Sequence, residues 1–354
     1  MKIVQIGAKV GEGKGIGLGN AGDSAIGTSF DYLLNKEFSN SEIIFLNCRK
    51  IFTQDDINLI NSADALIISG GGLFLHDTFE NQVSDWQWGI SEDLLDKIKI
   101  PIIVYAVGYN KFRGQREFSI KFNKTINKLV EKSIFFSMRN TGSCEAIKKH
   151  LKKENHSKIS LNFCPTMLLT ELYKIKCVKN KSVGFVLAGD RLENRHKNIE
   201  KFGTQIKIFV EYLKSKKYKT ILINHQNDTW IKKYVIFDEY IDLFKKESKK
   251  IYETYSKIEL VVADRGHGQM IPFACGCKLL TPISHNKLKW FLEDLNLEKL
   301  GLDESDENLA EKLIEKFEEL KVINWEEIFE KNMLKIKKVN GSNLQHIKEK
   351  LKVE

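Results

Sequence analysis

The sequence predicts an α/β protein built from two domains, each a parallel sheet with helices on both faces, opposed across a cleft. Three observations lead there. Short β-branched runs alternate with amphipathic segments along most of the chain. The alternation fades over 171–182 and then restarts. At 354 residues the chain exceeds what one ordinary core holds.

The elements follow in order. In the first half, strands are expected at 2–6, 43–46, 65–69, 101–107, 134–137 and 159–162. Helices fit near 22–36, 54–61, 91–98, 117–131 and 141–152, the second with Thr53 as its N-cap. The basic, non-periodic stretch 171–182 reads as a linker. Beyond it, strands are expected at 183–187, 219–224, 259–263 and 278–281, with helices near 198–215, 229–250, 267–275 and 285–295. The division is thus 1–172, 183–300 and a charged helical tail, 301–354, that either packs across both domains or makes a dimer contact. In open α/β sheets ligands sit beyond the carboxyl ends of the strands, so chemistry is sought there.

Composition narrows the function classes. No apolar run reaches the roughly 18 residues of a membrane helix. The opening Met1–Gly7 reads as a strand entering a glycine loop rather than a signal peptide, so a cytoplasmic protein is expected. The six cysteines form no CxxC pair, and Cys275 and Cys277 read as small buried residues, so no metal is expected. The formal charge of +9 is mostly lysine on helical segments. Such lysines either solvate helix faces or attract an anionic substrate or membrane surface. Nothing resembles the Arg-rich, aromatic-interleaved groove of a nucleic-acid binder.

The stretch "GKGIGLGNAGDSAIG", 13–27, is the first candidate site. It fails as a phosphate-binding P-loop, because Gly13-Lys14 is neither preceded at the right distance by glycine nor followed by Ser or Thr. Gly17–Gly22 matches G-x-G-x-x-G. However, it stands about ten residues beyond its strand, and the next strand ends in Asn47-Cys48-Arg49 without the acidic residue that would bind a ribose. What remains is a glycine-rich loop opening onto a helix N-terminus, where free N–H groups favour an anion, with Asp23 in the first turn.

Other strand ends carry similar signals. Gly70-Gly71-Gly72 ends the third strand, Gly108 the fourth, followed by Lys111 and Arg113, and Arg139 the fifth. In the second half, Asp264-Arg265-Gly266-His267-Gly268 sets a guanidinium and a titratable imidazole at a helix N-terminus. Asp190, Arg191, Arg195 and His196 follow the first strand of that half, either in the cleft or in a solvated loop. Trp86 and Trp88 either stack on sugars or pack in the core.

Taken in order, Gly19-Asn20-Ala21-Gly22-Asp23, Gly70-Gly71-Gly72, Val107-Gly108, Arg139-Asn140-x-x-Ser143 and Arg265-Gly266-His267 resemble the polysaccharide pyruvyl transferase family over roughly 1–295. Departures are Ser24 for the usual acidic residue, Asn140 for Asp, and Ala263 and Gly266 for Ser and Leu. The resemblance implies a fold similar to glycosyltransferase type B, phosphoenolpyruvate as co-substrate and donor with no cofactor, and a glycan acceptor. It assigns His267 as general acid and Arg265 as the clamp on phosphate or carboxylate. Arg139, Lys111 and Arg113 would add neutralising charge, and Asp23 would orient the acceptor or act as base. Asn20, Gly22, Gly71, Gly72, Gly108, Asp190 and Arg191 would complete the substrate site. Peripheral membrane contact through a lipid-linked acceptor and a homo-oligomer are both compatible with it. Two alternatives stay open: a nucleotide-sugar glycosyltransferase on the same fold, and a non-catalytic glycan- or nucleotide-binding module.

Overall fold

A computed structural model describes residues 1–8, 20–39 and 41–352. The glycine-rich stretch preceding Asn20, including Gly13–Gly19, lies outside the described residues. The first sheet comprises β1 (Lys2–Gly7), β2 (Glu42–Asn47), β3 (Ala65–Phe74), β4 (Ile102–Tyr109), β5 (Ser133–Met138) and β6 (Ile159–Leu161). Their spatial order is β2-β1-β3-β4-β5-β6, and every pairing is parallel. Helices α1 (Ala21–Glu37), α2 (Gln54–Asn61), α3 (Glu92–Asp96), α4 (Ile120–Lys132), α5 (Thr141–Lys148) and α6 (Leu169–Tyr173) connect and follow them. Every residue of β4 is buried, as expected of a central parallel strand covered on both faces.

The second sheet holds β7 (Asn180–Val186), β8 (Lys219–Asn224), β9 (Glu239–Asp242), β10 (Ile258–Ala263), β11 (Lys278–Ile283) and β12 (Gly301–Asp303). Their order is β12-β11-β10-β7-β8-β9, again all parallel. With them come α7 (Leu192–Arg195), α8 (Ile199–Ser215), α9 (Ser248–Tyr255), α10 (Gly266–Ala274), α11 (Asn286–Asp294), α12 (Leu309–Val322) and α13 (Trp325–Leu351). These are two Rossmann-like domains of the glycosyltransferase type-B kind. Among the described residues no helix is long and apolar enough to cross a membrane.

Three expectations shift. The segment 229–250 is a short 3-10 turn, then edge strand β9, then the start of α9. Tyr234, Phe237, Tyr240 and Ile241 imitate helical spacing, yet β9 alternates between half-buried and exposed positions, as an edge strand does. The helix expected at 91–98 shrinks to the five residues of α3. The second sheet also takes in β12, just past residue 300. Thr53 does cap α2, where the Asp56 carboxylate accepts its backbone N–H at 3.0 Å.

The domains share material. One apolar cluster stays within residues 4–151, on one face of the first sheet. The other runs from β1 and α1 through the whole second domain. Helix α13 spans both: Trp325 donates its indole N–H to Gly276 O at 3.2 Å in the second domain. At its other end, buried Asn340 exchanges hydrogen bonds of 3.0 and 3.1 Å with the Phe163 backbone, and Asn343 donates to Leu161 O at 2.9 Å.

Candidate active site

The carboxyl ends of both sheets open into one cleft of about 390 Å³. Asn20 and Asp23 of the α1 entrance, Gly70–Gly72, which lie within β3 rather than at its end, and Arg139 after β5 face Asp190, Arg191, Arg265 and His267 from the second domain. At the α1 entrance, Asn20 Oδ1 accepts the Gly22 N–H at 2.8 Å.

Two glycines matter through what they leave out. A Cβ on Gly22 would stand 2.2 Å from His267 Nδ1, so only glycine lets the imidazole lie against α1. A Cβ on Gly108 would stand 2.3 Å from Arg139 Nε, so that glycine clears the guanidinium's path. Gly108 therefore serves the cleft from behind Arg139 rather than lining it.

The cations divide into two sets. Asp190 accepts from Arg191 and Arg195 at 2.9 and 3.0 Å through one oxygen, and from Arg265 at 2.7 Å through the other. Burial opposes its charge, but Arg195, Arg265 and Arg191 hold its carboxyl far below the usual range. Arg265 also donates to buried Asp228 at 2.6 Å, and Arg191 forks across the interdomain seam onto Asp77 at 2.7 and 2.8 Å. The expected phosphate clamp at Arg265 thus already carries two carboxylates. Arg49, Arg139 and Lys287 form the other set, with no carboxylate partner among the described residues. Arg139 is 3% exposed; one terminal nitrogen donates to Asn110 Oδ1 at 3.2 Å, and its Nε has no partner among the described residues. Burial pushes that guanidinium below its ordinary value, the state of a desolvated cation awaiting an anion.

His267 sits among these charges, its Nε2 3.7 Å from Cys164 Sγ. Burial, then Arg139 and Lys287, press its pKa well below the usual histidine range, so the imidazole among these charges is neutral at pH 7. Burial and the neighbouring Arg139 and Arg195 likewise depress half-buried Lys287.

Other expectations land elsewhere. Lys111 pairs with Glu117, and Arg113 with Glu304 at 2.9 Å; neither lines the cleft, because each finds a carboxylate on the way. Trp86 and Trp88 are fully buried against Phe74 and Phe52, which removes the sugar-stacking alternative; Gln87 between them reaches the cleft instead. Arg195 and His196 are 2% exposed, not a solvated loop; His196 lies between Asp264 at 3.4 Å and Glu304 at 3.3 Å. Cys275 and Cys277 are buried in the core. Arg49, Asn110, Gln226 and Lys287 were not anticipated as lining residues. Lys287 follows β11 at the start of α11, so the strand-end rule applied elsewhere would have found it.

The model of the polysaccharide pyruvyl transferase family matches residues 20–286, and the chain belongs to that family of enzymes. A comparison with curated proteins finds no match to this chain. Among solved structures, MnaA of S. aureus with UDP aligns at TM-score 0.56 and 12% identity, over 100% of this chain and 97% of that one. UDP-GlcNAc 2-epimerase of Neisseria meningitidis bound to UDP-GlcNAc aligns at 0.56 and 12%, over 98% and 99%. An alpha-glucosyltransferase in complex with UDP and DNA aligns at 0.52 and 13%, over 99% of each chain. These likenesses establish the shared fold.

Proposed function

We propose that this pyruvyl transferase takes its pyruvyl group from phosphoenolpyruvate and sets it as a ketal on two hydroxyls of a sugar in a surface polysaccharide or its cytoplasmic precursor. The observation that carries the reading is a histidine flanked by cations without a carboxylate partner among the described residues, at the meeting of both domains. The donor bears a phosphate and a carboxylate, which suit Arg139 and Lys287, while Arg265 is held by its carboxylates as a second donor of N–H groups.

The chemistry needs a proton on the methylene carbon of the enol ester. As that C–H bond forms, positive charge develops on the carbon bearing phosphate. A sugar hydroxyl attacks there, phosphate leaves with the C–O bond pair, and the second hydroxyl closes the ketal. His267 is neutral beside unmatched cations, and an arriving anion offsets Arg139 and Lys287 and restores its proton. The general acid is thus armed by its own substrate. Asp23, on the opposite wall, orients the acceptor or takes the hydroxyl proton.

Phosphate release from phosphoenolpyruvate, measured across a panel of sugar acceptors, tests the reading. Release that depends on acceptor and disappears in His267→Gln is expected. Release that persists in that variant removes His267 from the role. Stabilisation by UDP-sugars without any by phosphoenolpyruvate would instead favour a glycosyltransferase.

A further inference from the structure

Beyond the cleft, a second cavity of about 580 Å³ runs between α5 and α11. Its lining forms one stripe on each helix: Gly142, Glu145 and Ala146 on α5, and Asn286, Trp290 and Glu293 on α11. The spacings of three and four residues keep each stripe on a single face, so the cavity is a groove following both helix axes.

The groove lies close to the cleft on both walls. Arg139 lines the cleft and Thr141, two residues on, lines the groove. Lys287 lines the cleft and Asn286 beside it lines the groove. One wall of each belongs to each domain, so cleft and groove are neighbours along the interdomain seam.

Their chemistry is opposite. Six cationic side chains line the cleft. The groove carries Glu145, Glu293 and Asp294 against Lys149, which turns anions away. Asp294 is committed to the fold, accepting the Thr141 N–H at 3.0 Å. Glu145 and Glu293 are exposed on the rim, each paired only with a surface lysine on its own helix, Lys148 at 2.7 Å and Lys289 at 3.3 Å. Such surface pairs hold their carboxylates weakly and leave them free to accept hydroxyl protons. The half-buried Trp290 indole packs closely on Gly142 in the first turn of α5, where a Cβ would come within 2.0 Å of its Cγ, so only glycine admits the ring there. A half-buried aromatic ring, a side-chain amide and acceptor carboxylates at the edge suit a ligand with apolar C–H faces and many hydroxyls.

The geometry points to this groove as a subsite for an uncharged stretch of the acceptor glycan, which lies along α5 and α11 while its reacting sugar enters the cleft beside His267. The assignment rests on the pyruvyl-transfer reading for the identity of the reacting end, but the groove is tested without turnover.

Calorimetric binding is measured for methyl glycosides of glucose, galactose and N-acetylglucosamine and for their di- and tetrasaccharides, with inorganic phosphate as the cleft probe. In at least one series the tetrasaccharide binds about tenfold or more tightly than the methyl glycoside, the scale of one well-placed aromatic contact with its flanking hydrogen bonds. Trp290→Ala and Ala146→Arg, the second filling the groove without removing the ring, abolish that gain and leave methyl glycoside and phosphate binding unchanged. No gain with length in any series overturns the subsite, as does a gain that survives Ala146→Arg. A length gain without phosphoenolpyruvate turnover leaves the subsite standing and removes the reaction. Turnover on a monosaccharide without a length gain does the reverse.

Discussion

The two sets of cations in the cleft look alike in sequence and behave as opposites. Around Asp190, three arginines share one carboxylate and reach on to Asp77 and Asp228, so each positive charge is matched before any ligand arrives. Around His267, Arg139 and Lys287 carry charge without a carboxylate partner among the described residues. A buried ion pair that loses one member leaves an uncompensated charge and costs stability, whereas an unmatched buried cation is already destabilising. The first set therefore builds the site's shape, and the second holds its capacity for an anion.

The largest effect should come from breaking the unmatched set. Arg139→Met is expected to lower kcat/KM roughly 100-fold, the scale of a charge-assisted bond to a phosphate. The same variant should unfold in urea at no lower a midpoint than the wild type; a marked loss of stability would place Arg139 in the scaffold instead.

Next in size is the converse. Asp190→Asn frees three guanidinium groups from their shared carboxylate, and since that carboxylate is partly exposed a loss of roughly 2–3 kcal/mol in urea denaturation is expected. Stability within about 0.5 kcal/mol of wild type would erase the distinction between the sets.

A smaller effect sharpens it. Because burial, Arg139 and Lys287 depress His267, an anion that offsets those charges raises its pKa and takes up a proton. Donor affinity should therefore strengthen as pH falls toward the usual histidine value. Calorimetry at pH 7.5 in two buffers of different ionisation heat should register net uptake, reduced in Lys287→Met. Zero uptake would mean that the neighbouring cations do not set this proton affinity.

The smallest concerns His196, which lies outside both sets. Burial opposes its proton, yet Asp264 and Glu304 raise its pKa above the usual value. Its contribution to stability is complete below about pH 6.5, where the unfolded chain also binds the proton, and is lost as pH rises through the folded value. His196→Gln should flatten the fall of thermal midpoint between pH 6.5 and 8.5 by a few degrees at most; an unchanged slope would show that another group controls it.

The fold was largely legible because parallel strands buried on both faces, such as β4, read as apolar runs, and strand ends announce themselves through glycine and charge. The edge strand β9 was not, since four half-exposed residues fit a helical period as well as an alternating one. In the site, His267, Arg139 and Asp23 were visible from their position after strands or at a helix start. Which cations were free was not visible, because Glu117 and Glu304 neutralise Lys111 and Arg113 through contacts that span up to 191 residues. Linear spacing records where a side chain starts, not what it meets.

Helix α13 fastens to the second domain near Trp325 and to the first near Asn340 and Asn343. It thus acts as a splint across the seam. Any change in the angle between the domains must bend this 27-residue rod or pull one fastening loose. Small flexing is inexpensive for a helix of that length and wide gaping is not. Substrate and product must therefore slide through an opening of nearly constant width, and thinning the splint by shortening its side chains at Asn340 would loosen the mouth without touching a single group inside it.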